Sequence, residues 1–460
     1  MRTLRAARSL CPLWKPRAFA SRSGKSAMDM AARDGELRVF VVAGEVSGDR
    51  MGGRLMSSLK RLSPFPVLFS GVGGSMMLSE GLRSLFPMED ISVMGIWELL
   101  PHLGRIRGKL KETEEAAVQF EPHVVVTIDS KGFSFRLLKQ LRARMSEPSL
   151  GGPMHFHYVA PSFWAWKGGE ERLRNLAKFV DHVFCILPNE AEVCQLNGLD
   201  ASFVGHPVLE DILDMDEAID ASCDYWNIPG DGQRFRSACQ IHSGATIMSL
   251  LPGSRLQEVT RMLPIFAKTI NMLKHAFPEL LTVIHVAPNK HVESHIDVVM
   301  KDWPVSFFLI SGENTMLKYD AFQASQVALC TSGTVAVEMQ LAKLPCVVAY
   351  RAHFLTEWYI RYKAKIPYIS LPNILTESAA IPEALFNKCT PENIAAKLEL
   401  LIHDECSREK QTSTAKKVMK LLSPSKEVLC KSAAHWGSKH FYGSPSEIAA
   451  SMVLNYVKAS

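Results

Sequence analysis

Two glycine-bearing turns in the second half of the chain carry the residue types needed to hold a diphosphate. Pro252-Gly253-Ser254-Arg255 follows the apolar run Ile247–Leu251 and leads, past Glu258, into a helical pattern reaching Met272. An arginine there can bind phosphate oxygens through charge-assisted, often bidentate bonds, and Ser254 is placed to cap the helix. Thr331-Ser332-Gly333-Thr334 follows a second run, Val327–Cys330, with Glu338 one turn into the next helix. Small hydroxyl residues and glycine at a helix start make a phosphate cradle, and a carboxylate at Glu338 suits the two hydroxyls of a ribose. Either turn alone is what helix capping also requires; two in one unit favour a nucleotide-sugar site.

The first half offers an acid. Asp129 ends the run Val124–Ile128, so its carboxylate belongs at the strand end, where it can take a proton from an acceptor hydroxyl while a diphosphate leaves elsewhere. A helix cap for the segment beginning near Phe133 is the competing reading. Gly44-Glu45-Val46-Ser47-Gly48-Asp49, with Gly52 and Gly53 behind it, is a strand-to-helix turn that lets backbone approach a ligand. Its spacing departs from G-x-G-x-x-G and it lacks the ribose-binding acid of a dinucleotide site. Gly71–Gly74 is a second such turn. His155 and His157 fall on one strand face, but spacing supplies no third ligand and there is no D-x-D pair at a strand end, so a metal site is not expected and His155 is read as a core or cleft histidine. Phosphate charge then falls to Arg255 and to helix dipoles, and no cofactor is called for. Trp97–Lys111 mixes apolar and basic residues in a way that suits either an anionic membrane surface or an ordinary half-buried helix. Phe163–Trp166 adds aromatics with the same ambiguity.

These residues sit at the ends of continuous apolar runs that alternate with helical patterns: Arg38–Ala43, Val124–Ile128, His155–Val159 and His182–Leu187, then, after a pause near Gly205–Pro207, Ile247–Leu251, Thr282–Val286, Val327–Cys330 and Cys346–Tyr350. Met51–Leu62 and Phe133–Met145 read as helices, and Pro229–Ser243 as a surface loop. Unbroken apolar strands between helices predict doubly wound parallel sheets. The expectation is an α/β chain of two Rossmann-like domains facing a cleft where the carboxyl ends of both sheets meet.

Bulk properties agree with a globular chain of two or three domains: 460 residues, 47% hydrophobic and 22% charged. No apolar run approaches the roughly 18 residues of a membrane span. Residues 1–27 hold seven basic side chains and no acid; taking those seven from the net charge of +5 leaves −2 for the rest. The basic excess is therefore local. It argues against a nucleic-acid partner and for a cleavable presequence, mitochondrial first and plastid second. The ten cysteines form no C-x-x-C pair, which fits a reducing compartment.

Taken together the motifs resemble the lipid-A-disaccharide synthase family. Val42-Ala-Gly-Glu-Val-Ser-Gly-Asp49, Val93–Ile96, His157–Trp166, Leu251–Arg255, Ser332–Glu338, Leu341–Lys343 and Ser370–Leu375 occur in family order within about residues 38–400. The resemblance implies a metal-independent GT-B glycosyltransferase. Its domains are expected at 36–206 (acceptor) and 207–435 (UDP-sugar donor), with a helix in 436–460 crossing back to the first. It implies inverting transfer of 2,3-diacylglucosamine from UDP to the 6-hydroxyl of 2,3-diacylglucosamine 1-phosphate, at a peripheral membrane surface. It also implies that Asp129 is the base and that Arg255, Ser254, Ser332, Gly333 and Thr334 hold the diphosphate. Glu338 takes the ribose, and Glu45, Ser47, Asp49, His157 and Trp164 line the acceptor side or cleft. A presequence on this enzyme points to a plant-type organellar member, in the mitochondrial matrix and near the inner membrane; a homodimer is left open. One departure stands out: the family commonly has proline and asparagine where this chain has Lys131 and Ser134. Lys131 would either weaken the base or pair with the acceptor phosphate. A UDP-sugar 2-epimerase and a non-catalytic UDP-sugar- or lipid-binding homologue are the rival readings.

Overall fold

Continuous apolar runs become the buried strands of two parallel sheets. The computed structural model describes residues 26–457 apart from 93–95, 146–151, 214–229, 313, 332, 353 and 426–442. The first sheet is built from β1 (Leu37–Ala43), β2 (Val67–Val72), β3 (Arg83–Ser84), β4 (Val124–Ile128), β5 (Met154–Tyr158), β6 (His182–Cys185) and β7 (Ala201–Phe203). The second contains β8 (Thr246–Leu251), β9 (Leu280–Val286), β10 (Ser306–Ser311), β11 (Val327–Cys330), β12 (Cys346–Tyr350) and β13 (Glu383–Leu385). Every residue of β4, β5, β6 and β11 is buried. Strands covered on both faces by helices have no solvent side, which is why they read as unbroken apolar runs.

The strand orders are β3-β2-β1-β4-β5-β6-β7 and β10-β9-β8-β11-β12-β13. In each, the chain winds outward from a central strand, returns, and winds the other way. The order reverses between β1 and β4 in one sheet and between β8 and β11 in the other, and ligands of such sheets bind beyond the strand ends at that reversal. The doubly wound, Rossmann-like architecture expected from the sequence is the one the chain has.

The chain falls into two compact units, one formed by residues up to Phe156 with those from Ala450 onward, the other by His157–Ala449. The first unit's described part begins at Ser26, which forms a reciprocal capping box with Asp29 and an antiparallel bridge to Val457. Residues 1–25 of the expected presequence lie outside the described residues. In the second unit, Val259, Leu263 and Phe266 cover one face of the sheet, and Ala336, Val337, Val418 and Leu422 the other.

The Pro229–Ser243 stretch is not the loop expected. Within it a helix, Gly232–Ala238, is capped by Asp231, whose carboxylate accepts from the Gln233 and Arg234 backbones at 2.9 and 3.1 Å. Phe235, 1% exposed, packs with Ile247 and Val283. Arg234 and Asp320 form a two-pronged pair at 2.7 Å. Gly and Ser suggested a loop; one aromatic anchor and one ion pair decide otherwise.

Candidate active site

In the second unit β8 and β11 lie side by side with Leu251 opposite Cys330, so the two glycine-bearing turns leave adjacent strand ends. Thr331 Oγ1 lies 3.4 Å from the Leu251 carbonyl oxygen. Gly253 has φ +119°, and a Cβ there would lie 2.4 Å from Glu258 Oε2; both its backbone and its surroundings require glycine. Arg255, exposed, occupies the N-cap position of the helix Leu256–Leu273 without a side-chain cap bond. Ser254 is therefore not the cap. Its backbone N–H donates instead to Glu258, which also accepts from the Thr331 hydroxyl. Burial pushes the Glu258 carboxyl up, opposed chiefly by the charge of Arg255.

Gly333 opens the helix Gly333–Leu341 against another backbone: a Cβ there would sit 2.3 Å from the Ile369 carbonyl and 3.1 Å from the Leu371 nitrogen. The segment it meets is held in turn by Glu383, whose carboxylate accepts from the Ser370 backbone at 2.9 Å and from the Asn373 amide at 3.0 Å. Thr334 is exposed at the helix start. Ser332 lies outside the described residues. Glu338 receives Lys318 Nζ at 3.2 Å, and the lysine side chain is only 8% exposed. One carboxylate oxygen of the expected ribose ligand is thus already fixed by a buried cation.

The first unit repeats the topology with different chemistry. Ala43 pairs with Ile128, so the turn after β1 meets Asp129. Asp129 and Ser130 both adopt left-handed backbone, φ +47° and +44°, a conformation that costs non-glycine residues on the order of 1 kcal/mol each. The Ser134 hydroxyl donates to the Asp129 carbonyl at 2.8 Å, and the Ser134 backbone donates to the Ser130 carbonyl at 3.0 Å. A Cβ on Gly44 would fall 2.3 Å from Ser130 Oγ. The half-buried Asp129 carboxylate accepts no hydrogen bond among the described residues, so it does not cap the helix Lys131–Met145. Lys131 is exposed. A strained turn that presents an uncommitted carboxylate is the arrangement a proton acceptor needs.

The acceptor-side residues divide. Glu45 holds the N-cap position of the helix Val46–Leu62 without a side-chain cap bond, and Ser47 is exposed. Asp49 is 4% exposed, and its carboxylate accepts from the backbones of Gly74, Met76 and Met77 at 2.8–3.0 Å. It ties the second glycine turn in place and is not turned outward to line a binding surface. His157, like His155, is fully buried. Trp164 donates its indole N–H to the buried Glu190 at 3.2 Å. In the Trp97–Lys111 segment, Ile106 and Leu110 are buried, Arg105 pairs with Asp90, and Lys109 lies 3.6 Å from it. Those residues make an ordinary half-buried helix; the side chains of 97–103 lie outside the described residues.

Sequence reasoning passed over Lys318 and the Gly44–Ser130 contact, and it noted Glu258 only in passing. The signal for Glu258 was its place three residues after an uncapped helix start, from which a carboxylate can reach back to the preceding backbone. Nothing in the spacing marks Lys318, which is twenty residues from its partner.

Two Rossmann-like parallel sheets of the same doubly wound order place the chain in the GT-B class. The fold is shared with solved proteins of low sequence identity. The S. aureus MnaA–UDP co-structure covers 83% of this chain and 92% of its own, with TM-score 0.56 and 12% identity. A UDP-GlcNAc 2-epimerase from Neisseria meningitidis bound to UDP-GlcNAc covers 86% and 99%, with TM-score 0.53 and 13% identity. The kitacinnamycin glycotransferase covers 91% and 98%, with TM-score 0.52 and 13% identity.

Sequence narrows the class. The lipid-A-disaccharide synthetase family profile matches residues 39–435. The chain is 60% identical over 437 residues (95% of it and 94% of the relative) to an Arabidopsis thaliana protein named "Probable lipid-A-disaccharide synthase, mitochondrial". It is 39% identical over 386 residues, 84% and 90% of the two chains, to the lipid-A-disaccharide synthase of Rhodospirillum centenum. The chain belongs to the lipid-A-disaccharide synthase family of glycosyltransferases.

Proposed function

We propose that the chain transfers 2,3-diacylglucosamine from UDP to the 6-hydroxyl of 2,3-diacylglucosamine 1-phosphate, with inversion, giving a β-1,6 disaccharide and UDP. The observation that supports this reading is the pairing of β8 with β11, which sets the Pro252–Arg255 turn next to the end of β11, with Gly253 pressed against the Glu258 side chain and Gly333 against the Ile369 backbone. Arg255 and the N-terminus of the Gly333 helix take the leaving diphosphate, and Glu338, steadied by Lys318, takes the ribose. Asp129 accepts the proton of the attacking hydroxyl as the bond from the donor's anomeric carbon to the diphosphate oxygen breaks. Glu45 and Ser47 remain candidates for the acceptor side.

The substrates are acylated, and the second unit has a surface suited to them. Trp358 and Tyr362, 66% and 57% exposed, stack with centroids 5.9 Å apart. Lys167 and Lys363 stand 5.2 and 5.5 Å from the Tyr362 ring. Paired aromatics ringed by cations match an anionic headgroup layer, supporting peripheral work at a membrane. No described helix is long and apolar enough to cross one. The acid-free N-terminus and the mitochondrial name of the Arabidopsis relative support the mitochondrial matrix.

The test incubates residues 28–460 with both substrates in EDTA and follows UDP and disaccharide by mass spectrometry. Disaccharide formed with equimolar UDP is the expected result. UDP-sugar binding without disaccharide, over several acyl lengths, would replace transfer with the binding-protein reading, and epimerised sugar would replace it with the epimerase.

A further inference from the structure

We infer that Glu258 is a positioning residue of the donor site, tying the Pro252–Arg255 turn to the end of β11 and so fixing where Arg255 meets a diphosphate. The inference rests on the donor-site reading above. Glu258 stands in the first turn of the Leu256–Leu273 helix, and its carboxylate fills the space that a side chain at position 253 would need: its Oε2 and Cδ lie 2.4 and 2.5 Å from where a Cβ would stand. From there it accepts from the Ser254 N–H on one turn and from the Thr331 hydroxyl on the other. One carboxylate therefore braces three elements: its own helix, the turn after β8 and the end of β11.

A second anion beside a diphosphate would ordinarily oppose binding. Here it spends its lone pairs on two protein donors, and Arg255 and Arg261 of its own helix face it with positive charge. From β12 the Tyr350 hydroxyl faces it; burial first, then the charge of Glu258, pushes that phenol up, with Glu357 adding to the effect. The brace is strongest with Glu258 ionised, because a charged acceptor makes the stronger hydrogen bond. Burial raises the pH at which that charge is lost, so the brace loosens at a higher pH than an ordinary glutamate would allow.

The experiment measures UDP affinity by calorimetry for wild type, Glu258→Gln and Arg255→Ala at about pH 8 and at about pH 4.3, the ordinary glutamate value, which lies below the raised carboxyl, with melting temperature and donor KM and kcat alongside. Glu258→Gln keeps the shape and removes the charge. It is expected to weaken UDP about tenfold at the higher pH, for one charged hydrogen bond made neutral, and to raise donor KM more than it lowers kcat. The wild-type advantage shrinks at the lower pH, where wild type also loses the charge; comparing the two proteins cancels the titration of UDP itself. Wild-type affinity in Glu258→Gln with binding lost in Arg255→Ala overturns the inference and leaves the donor site standing. Unchanged affinity in both variants removes the donor site and the inference with it. A loss that is the same at both pH values also overturns it, because the charge then plays no part. If Glu258→Gln melts well below wild type, Thr331→Val removes the other half of the brace while keeping the carboxylate, and unchanged UDP affinity in that variant counts against the inference.

Discussion

The two sheets share a strand order and differ in what they place at its reversal. Beyond β1 and β4, the first unit sets a carboxylate that accepts no hydrogen bond among the described residues on a turn of two left-handed non-glycine residues. Beyond β8 and β11, the second sets an exposed arginine, a helix N-terminus and two glycines pressed against neighbouring atoms, with a carboxylate spent on bracing them. On the proposed reading, one topology serves a proton acceptor in one case and an anion holder in the other. Strand order decides where chemistry sits, and a few side chains decide which chemistry it is.

The sharpest way to break that comparison is Asp129→Ala. Loss of a general base costs about 10³-fold in turnover, so kcat should fall by roughly that factor in a steady-state assay. A fall of less than about tenfold would move the base elsewhere.

The units also differ in their response to acid. In the second, burial lowers His206 to about 4 and His285 to about 3, the latter with help from the Lys318 charge. Both imidazoles are neutral when folded, whereas an unfolded histidine takes its proton near pH 6.5. The stability they contribute is present above about 6.5 and is lost as pH falls towards 4 and then 3, with about 3 kcal/mol at stake for His206. In the first unit, desolvation of His123 is opposed by its hydrogen bond to Asp34. Denaturant melts between about pH 7 and pH 4 should show the second unit losing stability first, with a shallower pH slope in His206→Asn. Equal acid sensitivity in both units would contradict this.

A smaller effect separates the glycine contacts. An added methyl at Gly333 meets a backbone carbonyl that cannot swing aside, whereas at Gly44 it meets a serine side chain that can. Gly333→Ala should cost about 1–3 kcal/mol of overpacking and weaken UDP; Gly44→Ala should cost less than about 1 kcal/mol and leave UDP alone. The reverse ranking in thermal melts and UDP titrations would mean the second turn is not a built cradle.

How much of this the sequence showed depends on burial. β1, β4, β8 and β11 are covered on both faces and announce themselves as apolar runs. The edge strand β10 is mostly exposed or half-buried, and β3, β7 and β13 are two or three residues long; none could be read. Positions at strand ends were legible because the fold class puts ligands there, which is how Asp129, Arg255 and Gly333 were singled out as candidates, with Glu338 one helical turn further on. What each carboxylate touches was not. Asp49 is placed on the acceptor side by the resemblance alone, and its capture by three backbone N–H groups depends on a loop twenty-five residues away. Ser254 read as a cap because it precedes a helix, yet Glu258 takes its N–H.

The division of labour between the two turns is tested by a UDP titration of Asp129→Ala beside Arg255→Ala. Asp129→Ala is expected to bind UDP within about twofold of wild type, while Arg255→Ala loses about 10- to 100-fold, the worth of a charge-assisted bond to phosphate. Loss of UDP binding in Asp129→Ala, or full retention in Arg255→Ala, would contradict that division.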